Sequence, residues 1–247
     1  KPGARANNTG GKDKGGDIIL KDVSKSYQIG EMAIQAVDRV SFTVHLGEFA
    51  VVVGPSGAGK TTVLNLLGGM DRASGGEIWV DGKNIVPMSD KQLTLYRRHD
   101  VGFVFQFYNL MPNLTALENV ELARQVCKDP LDPYDMLARV GLQDRMDNFP
   151  AQLSGGEQQR VAIARPLRKT PAVLLCDEPT GALDSETGRM VLTLLRDIGH
   201  DMGKTVMIIT HNAALIPAAQ RVIRMKNGGI QEVSVNSSPT PMEDIVW

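Results

Sequence analysis

Gly54-Pro55-Ser56-Gly57-Ala58-Gly59-Lys60-Thr61 is the most informative run in the chain, because it matches the pattern GxxxxGK[ST] and has the flanks that this pattern needs. An apolar run with the composition of a strand, residues 49–53, leads in, and a segment of helical spacing, residues 62–67, leads out. The glycines let successive N–H groups point inward, and the following helix adds its positive end. Strand, loop and helix together predict a cradle for the phosphates of a nucleoside triphosphate.

Two side chains of this loop carry the specific chemistry. Lys60 supplies a point charge for the β- and γ-phosphates, and the hydroxyl of Thr61 is a ligand for Mg²⁺. The alternative is a glycine-rich turn with a surface lysine, and both flanks argue against it. The predicted nucleotide-binding residues of the loop are Gly54, Pro55, Ser56, Gly57, Ala58, Gly59, Lys60, Thr61 and Thr62.

A second apolar run, residues 172–176, ends in two acids, Asp177 and Glu178. At the end of a strand, Asp177 is placed to hold Mg²⁺ through water, and Glu178 to polarise a water for in-line attack on the γ-phosphorus. Adjacent strand residues point in opposite directions, so the two acids have different roles. Paired acids after a strand can instead cap the next helix, but beside a phosphate loop they favour hydrolysis. Cys176, among apolar neighbours, is predicted to be a small core residue rather than a nucleophile.

Residues 153–160, LSGGEQQR, precede a segment of helical spacing. Ser154 suits the N-cap position, and the two glycines after it permit close approach of the backbone to a phosphate at the positive end of the helix. These letters predict a second anion-binding helix start, although by themselves they are equally consistent with a simple helix cap.

The runs together resemble the ATP-binding cassette (ABC) ATPases, in which LSGGQ is the defining signature. The resemblance covers about residues 17–235. The family's motifs occur in order, namely aromatic Tyr27, Walker A at 54–61, Q-loop Gln106, the signature at 153–158, Walker B Asp177 with Glu178, the D-loop at 181–184 and switch His211.

This resemblance implies an α/β fold, with a P-loop NTPase (RecA-like) core, an N-terminal antiparallel β subdomain and an inserted α-helical subdomain. It also implies ATP and Mg²⁺ as cofactors and hydrolysis of ATP to ADP and phosphate. The implied assembly is a head-to-tail dimer, in which the signature of one protomer closes over ATP held by the Walker A loop of the other. The signature residues of that contact are Ser154, Gly155, Gly156 and Glu157.

The resemblance further assigns single residues. Tyr27 would stack on adenine, Gln106 would bind the metal and sense the γ-phosphate, His211 would position the attacking water, and Asp184 would link the two sites. The catalytic set is then Glu178, His211, Gln106 and Lys60, and the metal set is Thr61, Gln106 and Asp177.

Two of these assignments, those of Tyr27 and Gln106, have structural alternatives. Tyr27 would simply pack between strands, and Gln106 would be an ordinary residue at the end of a strand. Near the switch, Thr210 or Asn212 suits a helix cap, which leaves His211 for chemistry.

Residues 68–72, 107–120 and 176–184 look like the lipoprotein-releasing and macrolide-exporting branch of the family. That branch also includes cassettes that serve antimicrobial-peptide resistance and cell division, and its ATPases work beneath a separate permease. The apolar residues suited to gripping a permease, or alternatively to filling the interior, are Phe107, Tyr108, Leu110, Met111 and Leu114.

Two residues depart from the family pattern. Pro166 stands in the signature helix where alanine is usual, and a proline inside a helix removes a hydrogen bond and costs about 3 kcal/mol if nothing relieves it. Gln220 replaces a commonly acidic residue, and we expect this change to affect only local surface charge.

The pattern along the chain predicts a tail at 1–16, an ABC ATPase domain at 17–235 with a helical subdomain at about 107–168, and a loop-like tail at 236–247. Strands are predicted at 18–23, 40–44, 49–53, 78–80, 101–105, 172–176, 206–209 and 222–225. Helices are predicted at 62–67, 116–126, 134–140 and 161–167, and after Ser185.

Composition narrows the function. The 247 residues hold 27 Lys+Arg and 28 Asp+Glu, a net charge of −1, which gives no general case for nucleic acid. Two cysteines in no metal-binding spacing predict neither zinc nor a disulfide framework, and no apolar run is long enough to span a bilayer. Together with this composition, the family resemblance implies the ATPase subunit of a bacterial ABC transporter, peripheral on the cytoplasmic face of the membrane, that powers a separate permease. The alternative is a regulatory or cell-division ATPase that controls a membrane partner without transport.

Overall fold

The computed structural model describes residues 16–122 and 130–245. In this part of the chain the strands are β1 (Ile18–Ile29), β2 (Met32–Val44), β3 (Phe49–Val53), β4 (Gly75–Val80), β5 (Lys83–Asn84), β6 (Val101–Phe105), β7 (Val173–Asp177), β8 (Thr205–Thr210), β9 (Arg221–Lys226) and β10 (Gly229–Val235). The helices are α1 (Lys60–Leu67), α2 (Asp90–His99), α3 (Ala116–Glu121), α4 (Pro133–Arg139), α5 (Gly155–Leu167) and α6 (Ser185–Asp201), with 3-10 turns at Gln143–Arg145, Pro150–Gln152, Ala213–Ala218 and Met242–Asp244.

The strands form two sheets. The first is antiparallel, in the order β2-β1-β4-β5. The second has the order β10-β9-β3-β8-β7-β6, and all of its pairs are parallel except β10 with β9. In such a sheet the carboxyl ends of the parallel strands meet at one edge, where ligands bind. This edge receives the loop after β3, Asp177 at the end of β7 and Glu178 directly after it.

The parallel sheet is covered on both faces, as continuously apolar strands predict. Along β3, Phe49, Val51 and Val53 join one hydrophobic cluster, and Ala50 and Val52 join another on the opposite face. The strand that carries the phosphate loop is therefore fixed from both sides.

Each predicted strand coincides with an observed one, but some predicted strands are shorter than the observed ones. Two strands at the sheet edges were missed. β1 extends through a polar stretch with register shifts, and β2 begins at Met32 rather than at Val40. β5 and β10 were not predicted, because one is two residues long and the other has the polar, half-exposed pattern of an edge strand.

Between β6 and β7 the described residues contain helices and 3-10 turns but no strand, as predicted. α4 agrees with its predicted range within one residue at each end. The helix predicted at 116–126 is described only to Glu121, since residues 123–129, which include Cys127, lie outside the described residues. Residues 1–15 of the predicted N-terminal tail lie outside them as well.

Pro166 does not interrupt the signature helix. It is buried in the last turn of α5, one residue before the helix ends at Leu167. The ring packs at the start of the neighbouring strand, where a Cβ added to Gly102 would lie 3.0 Å from the Pro166 Cβ. The missing N–H therefore weakens only the final turn.

The expectation for Gln220, near the C-terminus, is wrong in detail. Gln220 does more than alter surface charge, because its Oε1 accepts the Phe49 N–H at 2.7 Å and so fixes the start of β3. The segment after Val235 contains little regular structure, but Met242 and Ile245 are buried in the main core. Residues 236–245 therefore pack as part of the domain.

Candidate nucleotide site

The loop between β3 and α1 has the conformation that a phosphate cradle requires. Gly57 and Gly59 have φ of 75° and 93°, in the left-handed region that favours glycine. A Cβ added to Gly59 would lie 2.5 Å from the Ala36 carbonyl oxygen, and one added to Gly54 would lie 2.2 Å from that of Met225. Other residues at these two positions would push the loop away from the strands behind it.

Lys60 begins α1 with its side chain folded into the loop. It is buried, and its Nζ donates to the carbonyl oxygens of Gly54 at 2.7 Å and Pro55 at 3.0 Å. The ammonium group thus lies inside the ring of backbone that the glycines form, where it adds a full charge to the partial charges of the N–H groups.

This loop forms one wall of a cleft of about 450 Å³. Glu178 and His211 line the same cleft, so the structure brings these two predicted residues to the phosphate loop. The lining residues are Ile34, Gln35, Ala36, Ser56, Gly57, Ala58, Gly59, Lys60, Thr61, Thr62, Glu178, Ile209 and His211.

The carboxylate of Glu178 is held by the end of β8. Its Oε1 lies 2.8 Å from both the backbone N and the Nδ1 of His211, and its Oε2 accepts the Thr210 hydroxyl at 2.9 Å. The backbone N–H of Glu178 donates to Ile209 at 2.8 Å, and its φ is 46°, a strained value for a residue with a Cβ. Three contacts and an uncommon backbone conformation thus fix one carboxylate facing the cleft.

The environment of Asp177 changes the pKa of its carboxyl. Burial raises the pKa of its carboxyl, and the neighbouring Glu178 charge raises it further, while the Thr61 hydroxyl and the Lys60 ammonium oppose both effects. A divalent cation would stabilise the charged form of a half-buried carboxyl that lies beside a hydroxyl and a second acid. These are hard oxygen ligands of the kind that Mg²⁺ takes together with water and phosphate oxygens, so Thr61 and Asp177 fit the predicted metal.

The described residues contain no cluster of three or more His, Cys, Asp or Glu side chains able to hold a metal by themselves. Gln106, the third predicted ligand, lies beside the D-loop, since a Cβ added to Gly181 would be 2.7 Å from its Nε2. It does not belong to the described lining of the cleft. Its metal contact stays a prediction.

Tyr27 also stands outside the described lining of the cleft, at its margin. Its hydroxyl donates to Asp71 Oδ2 at 2.7 Å, and the Lys25 Nζ lies 4.8 Å from the centre of its ring. Tyr27 is about one-third exposed, so the alternative of a side chain packed between strands does not describe it.

The signature residues cap α5. The Ser154 Oγ accepts the Glu157 N–H at 3.3 Å, the Glu157 carboxylate accepts the Ser154 N–H at 2.8 Å, and Arg145 pairs with Glu157 at 3.3 Å. Where it is described, the cleft at the phosphate loop is not lined by any residue of the signature. Phosphate loop and signature are therefore separate surfaces of one chain.

Asp184 performs the same capping role for α6, because its Oδ1 accepts the N–H groups of Glu186 and Thr187 at 3.1 and 3.0 Å. Those backbone donors lower the pKa of the exposed Asp184 carboxyl. The described structure thus gives Asp184 a local role, and its predicted role between two sites stays a prediction.

Sequence reasoning missed two residues that hold predicted site residues in place. The sequence suggests Thr210 as a possible helix cap, but in the structure its hydroxyl both holds Glu178 and accepts the Asn212 N–H at 3.0 Å. Arg145, which pairs with the signature, has no motif that would have singled it out. The signal that could have identified Thr210 is its position next to His211.

The apolar residues after Gln106 divide into two groups. Phe107 and Met111 are exposed, at 74% and 50%, whereas Leu110 packs against the main core. Tyr108 and Leu114 are half-buried. No helix among the described residues is long and apolar enough to cross a membrane.

A glycine-rich phosphate loop between β3 and α1 shares a cleft with a fixed acid, Glu178, which follows β7, the next strand but one in the parallel sheet. This arrangement defines a P-loop nucleotide hydrolase. The family model described as ABC transporter matches residues 37–181, and the chain belongs to this family, whose ATP-binding cassettes are ATPases.

Similar proteins agree with this assignment. An uncharacterized ABC transporter ATP-binding protein of Thermotoga maritima is 44% identical over 219 residues, which cover 87% of this chain and 93% of that protein. The macrolide export ATP-binding/permease protein MacB 2 of Yersinia pestis bv. Antiqua is 42% identical over 218 residues, 86% of this chain but 32% of that protein. This chain thus matches only about a third of the exporter.

Solved structures confirm the predicted fold. The cassette MJ0796 of Methanocaldococcus jannaschii, in a dimeric post-hydrolysis state bound to ADP and Pi, superposes with a TM-score of 0.80 at 39% identity and covers 88% of this chain and 98% of that chain. The P-loop core with its antiparallel subdomain and helical insert is therefore the architecture of this chain.

Proposed function

We propose that the chain hydrolyses ATP within a head-to-tail dimer and thereby drives a separate membrane permease of the export or mechanotransmission type. One observation carries the dimer: the Lys60 loop, Glu178 and His211 share a cleft, and the signature at Ser154 to Glu157 is not part of its described lining. A second copy would bring its signature to that cleft. The dimeric state of MJ0796 supports this arrangement.

Within the cleft, each side chain has a task that follows from its contacts. The loop N–H groups and Lys60 bind the phosphates, and the Glu178 carboxylate accepts a proton from the attacking water. His211, bonded to Glu178 through its Nδ1, orients that carboxylate and leaves its Nε2 for the water or the γ-phosphate. When bound by Thr61 and Asp177, Mg²⁺ would neutralise phosphate charge.

A membrane partner is supported by the exposed residues Phe107 and Met111, which lie within five positions after Gln106. Two large apolar side chains on one surface segment favour a protein contact. The printed name of the Yersinia pestis relative joins ATP-binding and permease functions. The proposed location is accordingly the cytoplasmic face of the membrane, with no nucleic acid partner.

Mixing two inactive variants tests the shared site. Lys60→Ala removes the phosphate cation, and Ser154→Asp keeps a good N-cap while placing a negative charge against the γ-phosphate. In a mixed head-to-tail dimer one site has both defects and the other has none, so turnover reappears on mixing. If each chain works alone, the mixture stays as inactive as its components, and the dimer model is wrong.

Phe107→Asp with Met111→Asp tests the partner, because two buried charges would oppose an apolar contact. Co-purification with the permease should be lost in this double variant. Val235→Asp, an exposed apolar position on β10 at 64%, is the matched control and should retain the permease. Equal retention by both variants would place the contact elsewhere.

A further inference from the structure

Tyr27 is surrounded by charged side chains that the cleft itself does not use. Asp71 accepts the Tyr27 hydroxyl through Oδ2 at 2.7 Å and the Lys25 ammonium through Oδ1 at 2.6 Å. Lys25 also donates to the Arg72 carbonyl at 2.8 Å and lies over one face of the Tyr27 ring, 4.8 Å from its centre. The ring is therefore fixed at its hydroxyl and on one face.

This group adjoins the nucleotide cleft. Tyr27 on β1 is the antiparallel partner of Ile34 on β2, and directly opposed residues of such a pair present their side chains on the same face of the sheet. Ile34 lines the cleft. Burial and the bond to Asp71 raise the pKa of the Tyr27 hydroxyl, and the side chain of Thr62, another lining residue, opposes this shift. Tyr27 thus stands at the end of the cleft beside the phosphate loop.

We propose that Lys25 and Asp71 are positioning residues that hold the Tyr27 ring ready for the nucleobase, with the face opposite Lys25 as the stacking surface. This inference rests on the proposed contact between Tyr27 and adenine. Neither Lys25 nor Asp71 belongs to the described lining of the cleft, so both would act through the ring.

The physical reason is preorganisation. A tyrosine on an exposed strand has several side-chain orientations, and binding must select one of them at an entropic cost. Here the hydrogen bond, the ion pair and the cation over the ring select the orientation before the ligand arrives. Lys25 and Asp71 are themselves ordered, because their side chains are only 12% and 28% exposed.

The position of Asp71 explains a motif that the site leaves unused. Residues 68–72 are among the runs that look like one branch of the family. The structure places this segment immediately after α1, so the helix that begins at the phosphate loop delivers Asp71 to Tyr27. One rigid helix therefore fixes the distance between the phosphate cradle and the ring.

The test compares a ligand that has a base with one that has none. Affinities for ATP and for inorganic tripolyphosphate are measured by titration calorimetry, with Mg²⁺ present, for the full chain. Asp71→Ala and Lys25→Met should each lower the affinity for ATP about three- to tenfold and leave the affinity for tripolyphosphate unchanged. In steady-state assays KM should change more than kcat. Asp90→Ala is the control, since Asp90 pairs with Arg72 at 2.6 Å but does not contact Tyr27.

Tyr27→Ala separates this inference from the proposed function. If the two residues act through the ring, Asp71→Ala should have no further effect in a Tyr27→Ala background. The positioning role would be overturned if Asp71→Ala lowered the affinities for ATP and tripolyphosphate equally, or if the effects in the double variant were additive. Either result would leave the base contact intact. An unchanged ratio of ATP to tripolyphosphate affinity in Tyr27→Ala alone would overturn the base contact as well. Lys25→Met keeps the test valid if Asp71→Ala does not fold.

Discussion

Gly156, in the first turn of the signature helix, lies directly against Thr187 in the first turn of α6. A Cβ added to Gly156 would be 2.3 Å from the Thr187 Cγ2, closer than such atoms can approach. α6 begins at the D-loop residue Asp184, so the second glycine of the signature is what allows the signature helix and the D-loop helix to start side by side. The two motifs are one packed unit within a chain.

Gly156→Ala should therefore separate these two helix starts. We expect a loss of about 1–3 kcal/mol in the free energy of unfolding, as for other overpacked contacts, together with a loss of turnover. Thr187→Ser removes the obstructing methyl group and should be nearly neutral alone. In the Gly156→Ala background it should restore stability, and denaturant unfolding of the four proteins measures this coupling. Purely additive effects would show that the contact is not the reason for glycine.

Thr210→Val should reduce kcat about tenfold with little change in KM, because the hydroxyl that orients Glu178 is lost while the shape is kept. Thr205→Val is the matched control at the other end of β8, where the hydroxyl accepts the Gly47 N–H at 3.0 Å. It should cost about 1 kcal/mol of stability and leave kcat unchanged. Equal kcat for both variants would remove Thr210 from the catalytic arrangement.

Short-range patterns made the phosphate loop predictable. The conformation of residues 54–61 depends on glycines and on two flanking elements that are adjacent in sequence, so the letters specify the structure. The strands of the parallel sheet, whose residues are apolar on both faces, were predictable for the same reason. Strands such as β10 were not, because a polar edge strand is defined by its backbone partner rather than by its own composition.

The contacts between motifs were beyond sequence reasoning. Thr210 contacts Glu178, which is 32 positions away in the sequence, and Gln220 contacts Phe49, which is 171 positions away. Neither pair has a spacing that a periodic pattern could indicate, since both depend on which strands become neighbours. The burial of Met242 likewise follows from where the chain returns to α6 and not from the local, loop-like composition around it.

Lys60→Ala should weaken ATP binding at least about tenfold, because it removes the buried cation from the phosphate loop. Lys91→Ala, at an exposed position on α2, controls for the loss of one positive charge from the protein. Titration calorimetry with ATP and Mg²⁺ measures both. Unchanged affinity in Lys60→Ala would contradict the assignment of this lysine to the phosphates.

Acid should destabilise the fold partly through Glu48. Burial alone would raise the pKa of this carboxyl, but the Arg221 guanidinium, paired with it at 2.6 and 2.8 Å, and the His45 N–H lower it below its ordinary value of 4.5. A carboxyl pKa that is lower in the folded state adds stability above the unfolded value, and this stability is lost as the pH falls through the folded value.

The difference in unfolding free energy between the wild-type chain and Glu48→Gln should thus be largest near neutral pH and shrink below about pH 4.5. Urea unfolding at about pH 7 and about pH 3.5 measures the difference at each end. Asp90→Asn is the comparison, because Asp90 is fully exposed and its pairing with Arg72 is open to water, so its effect should be small at both pH values. A constant difference for Glu48→Gln at both pH values would mean that the pair with Arg221 contributes no pH-dependent stability.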